Sequence, residues 1–139
     1  MSSSWTGAGN RSLSNVVLDA SALLAMLNEE PGSEEVEQSI PGAAISAVNL
    51  SEVISKFTER GMAEEVIRSA LEDIQIDVHP FDRESAYGTG TLRRVTRVLG
   101  LSFGDRACIA LGRQLQRPVL TTDRVWRDLE LDIEIRVIR

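Results

Sequence analysis

The stretch NVVLDASALLAML, residues 15–27, decides the fold. Asn15 to Leu18 is a short β-branched run, it ends in the acid Asp19, and the alanine- and leucine-rich segment behind it has the composition of a helix. Pro31-Gly32 closes the unit. Working outward, Ser33 to Ser39 reads as a second small helix, Pro41-Gly42 as a turn and Ala43 to Ser46 as a short buried strand. Ser46 is a capping residue for a helix running to Arg60, with Gly61 as its stop. Within that helix Leu50, Val53, Ile54 and Phe57 recur at i, i+3, i+4 and i+7, the stripe of a core-facing helix.

The later chain repeats the pattern. Ala63 to Ile74 is helical in period, Gln75 to His79 is a strand before Pro80, and Asp82 to Leu99 is one long helix weakened by Gly88 and Gly90. Gly100 caps it. Phe103 to Leu115 is apolar nearly all round after its first turn and should be buried. Pro118 to Thr122 is a further strand, again ending at an acid, Asp123, and Ile133 to Ile138 alternates as a last strand. Strands separated by one or two helices predict an α/β three-layer sandwich: about five parallel strands with helices on both faces.

The chain has 139 residues, 42% hydrophobic, 4% aromatic and 26% charged, which fits one small globular domain and excludes a wholly disordered protein. The domain is expected over residues 15–139, after a flexible tail of residues 1–14. That tail lacks a basic start followed by an apolar run, so it is not a secretory signal. The longest apolar stretches, such as Ala20 to Leu27 and Ala107 to Leu111, are far shorter than the ~20 residues a bilayer needs. The expectation is a cytoplasmic protein that does not enter a membrane.

A single cysteine, Cys108, excludes an internal disulfide and a cysteine-cluster zinc site, and a single histidine, His79, excludes a histidine-rich metal centre. Oxygen-ligand chemistry stays open. The formal charge is −6, but it is unevenly spread: residues 1–80 hold 13 acids and 4 bases, residues 81–139 hold 8 acids and 11 bases. All 15 bases except Lys56 are arginine, whose flat fork grips phosphate. Arg93, Arg94 and Arg97 share part of one helix and are candidates to track phosphates, with a solvated face as the plainer explanation.

Ligands of open parallel sheets sit outside the carboxyl ends of the strands, and Asp19 and Asp123 stand at two such ends. Each taken singly is also a good helix N-cap. Asp105 fits a capping box with Ser102, and Glu52 fits a helical ion pair with Lys56 four residues on. Together the four acids carry more than the sum of these local readings. Two carboxylates ~4 Å apart at an effective dielectric of ~20 repel by ~4 kcal/mol, so a convergent cluster calls for hard divalent cations such as Mg²⁺ or Mn²⁺.

The runs VVLDASALLAMLNEEPG, SAVNLSEVISKF, LSFGDRACIALGRQL and PVLTTDRVW resemble, in that order, the four motifs of the PIN-domain nucleases, and most closely those of VapC-type ribonuclease toxins. The resemblance spans Val16 to the C-terminus. It implies a PIN-like fold and places Asp19, Glu52, Asp105 and Asp123 at the family's four acidic positions. Asp19 and Asp105 would hold Mg²⁺ directly, with Mn²⁺ as a substitute, while Glu52 and Asp123 complete the shell or act through waters. Ser21 and Thr121 match small hydroxyl residues near the metal, and Asn49 a polar position before the glutamate. The implied activity is Mg²⁺-dependent endoribonuclease cleavage of RNA by the toxin of a type II toxin–antitoxin pair. Its implied partners are an RNA substrate, a cognate antitoxin and a second copy in a homodimer.

Two other readings compete. A receiver or haloacid-dehalogenase-like phosphoryl-transfer domain also carries aspartates at strand ends, but Asp19-Ala20-Ser21 lacks the paired second acid and Lys56 lies inside a helix. A catalytically silent protein-binding module would retain the fold without binding metal. His79, Cys108 and Trp126 are read as structural, the last as packing rather than base stacking.

Overall fold

In the computed structural model, which describes residues 15–139, the decisive stretch forms strand β1 (Val17–Leu18) and helix α1 (Ala20–Leu27). The expected tail of residues 1–14 lies outside the described residues. The chain continues through α2 (Ser33–Ser39), β2 (Ala44–Ser46), α3 (Ala47–Glu59), α4 (Glu64–Glu72) and β3 (Asp77–His79). Then come α5 (Arg83–Thr91), α6 (Arg93–Thr96), α7 (Phe103–Leu115), β4 (Val119–Thr121), a 3₁₀ turn (Arg124–Asp128) and β5 (Ile135–Val137).

The five strands form one parallel sheet in the order β3-β2-β1-β4-β5, with Val17 level with both Ala44 and Val119. Alternate residues of the central strands divide between two cores. Val16, Leu18, Ile45 and Leu120 pack with Leu23 of α1, Val36 of α2, Val53 and Phe57 of α3 and Ile67 of α4. Val17, Ala44 and Val119 pack on the other face with Cys108, Ile109 and Leu111 of α7 and with Leu92, Leu101 and Trp126. Both faces are covered, which is why β1 and β2 read as unbroken apolar runs instead of alternating ones.

The order has one functional consequence. From β1 the connections lead outward through β2 to β3, and from β4 they lead the opposite way to β5. Where connections diverge in this way, a crevice opens at the carboxyl ends of the two strands. Here those strands are β1 and β4.

Two local expectations need correction. Asp82 to Leu99 is not one helix: it divides at Leu92 into α5 and α6. The glycines weaken α5, and the burial of Leu92 among the α7 side chains of the second core, with Thr96 buried a turn beyond it, favours a bend over a straight exposed helix. Of the apolar stripe of α3 only Val53 and Phe57 are buried. Leu50 and Ile54 are partly exposed and floor a groove of about 590 Å³ between α3 and α4.

Candidate active site

The carboxyl ends of β1 and β4 carry Asp19 and Asp123, and the helices supply the remaining groups. The side chain of Ser46 accepts a hydrogen bond from the Val48 amide and starts α3, which brings Glu52 and Lys56 round to the crevice with Asn49 buried behind them. Helix α7 packs against α3 and presents Asp105 from its first turn. The result is an open cleft of about 400 Å³ lined by Asp19, Ser21, Leu24, Glu52, Lys56, Asp105 and Asp123. All four sequence-predicted acids line it.

Asp19 occupies the N-cap position of α1, yet its carboxylate makes no capping hydrogen bond. Its Oδ2 instead accepts from Ser21 Oγ at 2.6 Å and from Thr121 Oγ1 at 3.0 Å. The hydroxyls are themselves tied down. Ser21 Oγ accepts from the Thr122 amide at 3.0 Å and Thr121 Oγ1 from the Asp123 amide at 3.1 Å, so the ends of β1 and β4 are stitched together around one carboxylate. Asp19 is only 5% exposed. Burial pushes its pKa from 3.8 to about 6, the two hydroxyl donors oppose the rise, and the negative fields of Asp105 and Glu52 add to it.

Glu52 does not pair with Lys56. Asn49 Nδ2 donates both to Glu52 Oε1 and to the carbonyl oxygen of Gly104, each at 2.9 Å, drawing the carboxylate towards α7. Gly104 makes room for it: a Cβ there would stand 2.6 Å from Glu52 Cδ. The Oδ1 atom of Asn49 is buried without a hydrogen-bond partner among the described residues. Sequence reasoning missed Gly104. Its signal was a glycine in the first turn of a helix, directly before an acid, where an ordinary helix former would serve better.

Asp105 and Asp123 perform their capping roles while facing the cleft. Asp105 Oδ2 accepts from the Ser102 amide and Ser102 Oγ from the Asp105 amide, a complete capping box. Asp123 Oδ1 accepts from the Val125 amide at 3.0 Å. Each retains an oxygen outside its cap.

The family model of the PIN domain matches residues 16–131, five-sixths of the sequence. The chain belongs to the PIN domain family. Among solved structures, a chain of the DNA-bound VapBC complex from Salmonella typhimurium is similar, with a TM-score of 0.69 at 21% identity over 88% of this chain and 96% of that one. A chain of a toxin-antitoxin complex from Klebsiella pneumoniae gives 0.66 at 17% identity, over 83% and 92%. One from VapBC-5 of Mycobacterium tuberculosis gives 0.56 at 24%, over 91% and 98%. At these identities the likeness is one of fold. No curated protein matches the chain.

The donor set of this PIN domain is all oxygen, which suits a hard cation. Among the described residues no three Asp, Glu, His or Cys side chains already gather closely enough to enclose an ion. Mg²⁺ does not require such a cage, because it keeps several waters and takes one or two carboxylates. Burial and the fields of Asp105 and Glu52 raise the cost of charge on Asp19, and a cation beside it would offset that cost.

The remaining sequence candidates lie elsewhere in the PIN domain. Arg93, Arg94 and Arg97 are exposed on and just after α6, and none lines the cleft. His79 pairs with Asp77 at 3.0 Å. Cys108 is fully buried, and burial holds its thiol well above the ordinary range, which keeps it protonated and inert. Trp126 is buried in the second core, so its ring has no free face for a base. Among the described residues no helix is long and apolar enough to cross a membrane.

Proposed function

We propose that this PIN domain is a Mg²⁺-dependent endoribonuclease and the toxin of a type II toxin–antitoxin pair. One observation carries the reading: Asp19 stands where a cap is wanted, declines the cap, and is held buried by two hydroxyls against the fields of two other carboxylates. Capping a helix does not call for that arrangement. A cation-binding aspartate gains orientation.

In this reading Asp19 and Asp105 would hold the ion directly, and Glu52 and Asp123 would complete the shell or act through waters. When bound, the cation supplies Lewis-acid polarisation of the scissile phosphodiester and activation of water as the nucleophile. The chain's own groups do the rest. Ser21 and Thr121 favour the ionised form of Asp19 and fix its oxygens, an outer-sphere role. Asn49 and Gly104 fix Glu52. Above the pKa of about 6, Asp19 is ready for metal without first losing a proton.

The similarity to chains of toxin–antitoxin complexes supports a cognate antitoxin as partner. The proposed working form is a homodimer acting on RNA in the cytoplasm. Purified protein should cut defined transfer or ribosomal RNAs with Mg²⁺ or Mn²⁺ and not in chelator, and Asp19→Asn should lose at least about 100-fold, more than an outer-sphere loss. Equal cutting in chelator overturns the nuclease reading. Production of the protein alone should arrest growth, and undisturbed growth with abundant folded protein overturns the toxin role.

A further inference from the structure

Four carboxylates at one cleft repel the polyanion that the proposed activity requires there, so RNA needs cations beside the acids. Among the described residues Lys56 is the one base lining the cleft. It is also the chain's single lysine. The helical spacing with Glu52 favours an ion pair, but Asn49 and Gly104 turn the Glu52 carboxylate towards α7, and among the described residues Lys56 has no ion pair.

One turn further along α3, about 6 Å in rise, stands Arg60. It is exposed but held: its guanidinium lies 5.7 Å over the ring of Phe57, and Nη1 donates to Asn28 Oδ1 at 3.2 Å. Asn28 ends α1. Helices α1 and α3 both begin at the carboxyl edge of the sheet and pack side by side. Ser21, Leu24 and Asn28 on α1 therefore run beside Glu52, Lys56 and Arg60 on α3. The first two pairs line the cleft and the third closes by a hydrogen bond. Along α3 the acid Glu52 is thus followed by two cations, Lys56 at the cleft and Arg60 a turn beyond it, with Glu59 beside the second. A single Asn28 amide occupies one of the arginine's five donors, so most of the fork remains for phosphate.

We infer that the RNA backbone leaves the acidic cleft along the α1–α3 groove, with successive phosphates held by Lys56 and Arg60. The inference rests on the nuclease reading for its ligand, but not on cleavage. Both residues are positioning residues. Their place near the C-terminal end of α3 also suits the helix dipole, which accounts for their sign but not for Lys56 lining the cleft or for the tie from Arg60 to α1.

The test is binding of a fluorescein-labelled single-stranded RNA, with Ca²⁺ replacing Mg²⁺ to separate binding from cutting, at several salt concentrations. Lys56→Gln and Arg60→Gln should each raise Kd severalfold and reduce the log–log salt slope by about 0.7, one phosphate contact on a single strand. Lys56→Arg should restore both. Asn28→Ala keeps the charge of Arg60 and should leave the slope unchanged. In cleavage with Mg²⁺ the glutamine variants should raise KM more than they lower kcat. Unchanged Kd and slope in both glutamine variants, with melting as for wild type, overturn the inference. A larger loss on replacing Arg93, Arg94 and Arg97 together by Gln overturns this route in favour of α6. RNA bound through the groove but never cut leaves the inference standing and defeats the nuclease reading, whereas no binding by wild type defeats both.

Discussion

Asp19 and Asp105 line the same cleft, and both stand at the start of a helix. Asp105 spends one oxygen on its capping box, is half-buried, and sits where the helix terminus welcomes negative charge. Asp19 forgoes its cap, is 5% exposed, and has a pKa of about 6. The contrast separates two ways of holding a carboxylate. At Asp105 the fold stabilises the charge by local hydrogen bonds, whereas at Asp19 it orients the charge at a cost that a bound cation would offset.

That contrast predicts its largest effects at Asp19. Its carboxyl holds a proton to higher pH in the folded protein than in the unfolded chain, so the contribution of this group to metal-free stability is fully present below about pH 4 and is lost as pH rises to about 6. The rise from 3.8 to about 6 corresponds to a loss on the order of 3 kcal/mol above that window. Asp19→Asn retains an acceptor for Ser21 and Thr121 without the charge. At pH 7.5 without metal it should melt above wild type by about 5 °C or more, and it should lack the pH-dependent loss between pH 4 and 6. Mg²⁺ should raise the melting temperature of wild type and not of the variant. Asp105→Asn, which keeps the capping acceptor, should also lose the metal response but show no such metal-free gain. Equal metal-free shifts in the two variants would erase the distinction.

A smaller effect is expected at the third carboxylate. Gly104→Ala introduces a methyl group against the Glu52 carboxylate, which Asn49 prevents from moving freely. The atoms met are the far end of a flexible side chain at the open cleft, so the shift costs little beyond the Asn49 hydrogen bond, and alanine's better helix propensity offsets part of it. Denaturant unfolding should change by no more than about 1 kcal/mol, and cleavage should fall because Glu52 is displaced. Wild-type stability together with wild-type cleavage would mean that Glu52 has another position equally good for its work.

The smallest expected effect sharpens the account of Asp19 itself. Ser21→Ala and Thr121→Val each remove a donor that lowers its pKa. The acidic limb of the pH–rate profile should therefore move to higher pH in each variant, with activity recovering at alkaline pH. A profile lowered uniformly at every pH would assign the hydroxyls to packing instead of charge.

Much of this molecule is legible from local rules. The strand–acid–helix reading of residues 15–27, the cap at Ser46, the capping box at Ser102 and the buried run of α7 all follow from period, composition and end chemistry. Those rules succeed because the groups concerned satisfy one another within a few residues. They fail at Leu92, where burial of one side chain across the second core outweighs the continuity of a helix.

The cleft was only half legible for the same reason. Its acids are visible as acids beside apolar segments, and the sequence alone determined their number, their oxygen chemistry and their places at strand ends and helix starts. Tertiary structure decided what each one does. Ser21 and Thr121 are 100 residues apart and meet on Asp19 because β1 pairs with β4. Glu52 leaves Lys56 because α7 brings a glycine against it. Local preference proposes a cap at Asp19 and an ion pair at Glu52, each worth about 1 kcal/mol or less. Contacts between elements distant in sequence outweigh preferences of that size, and the cleft is where they do so.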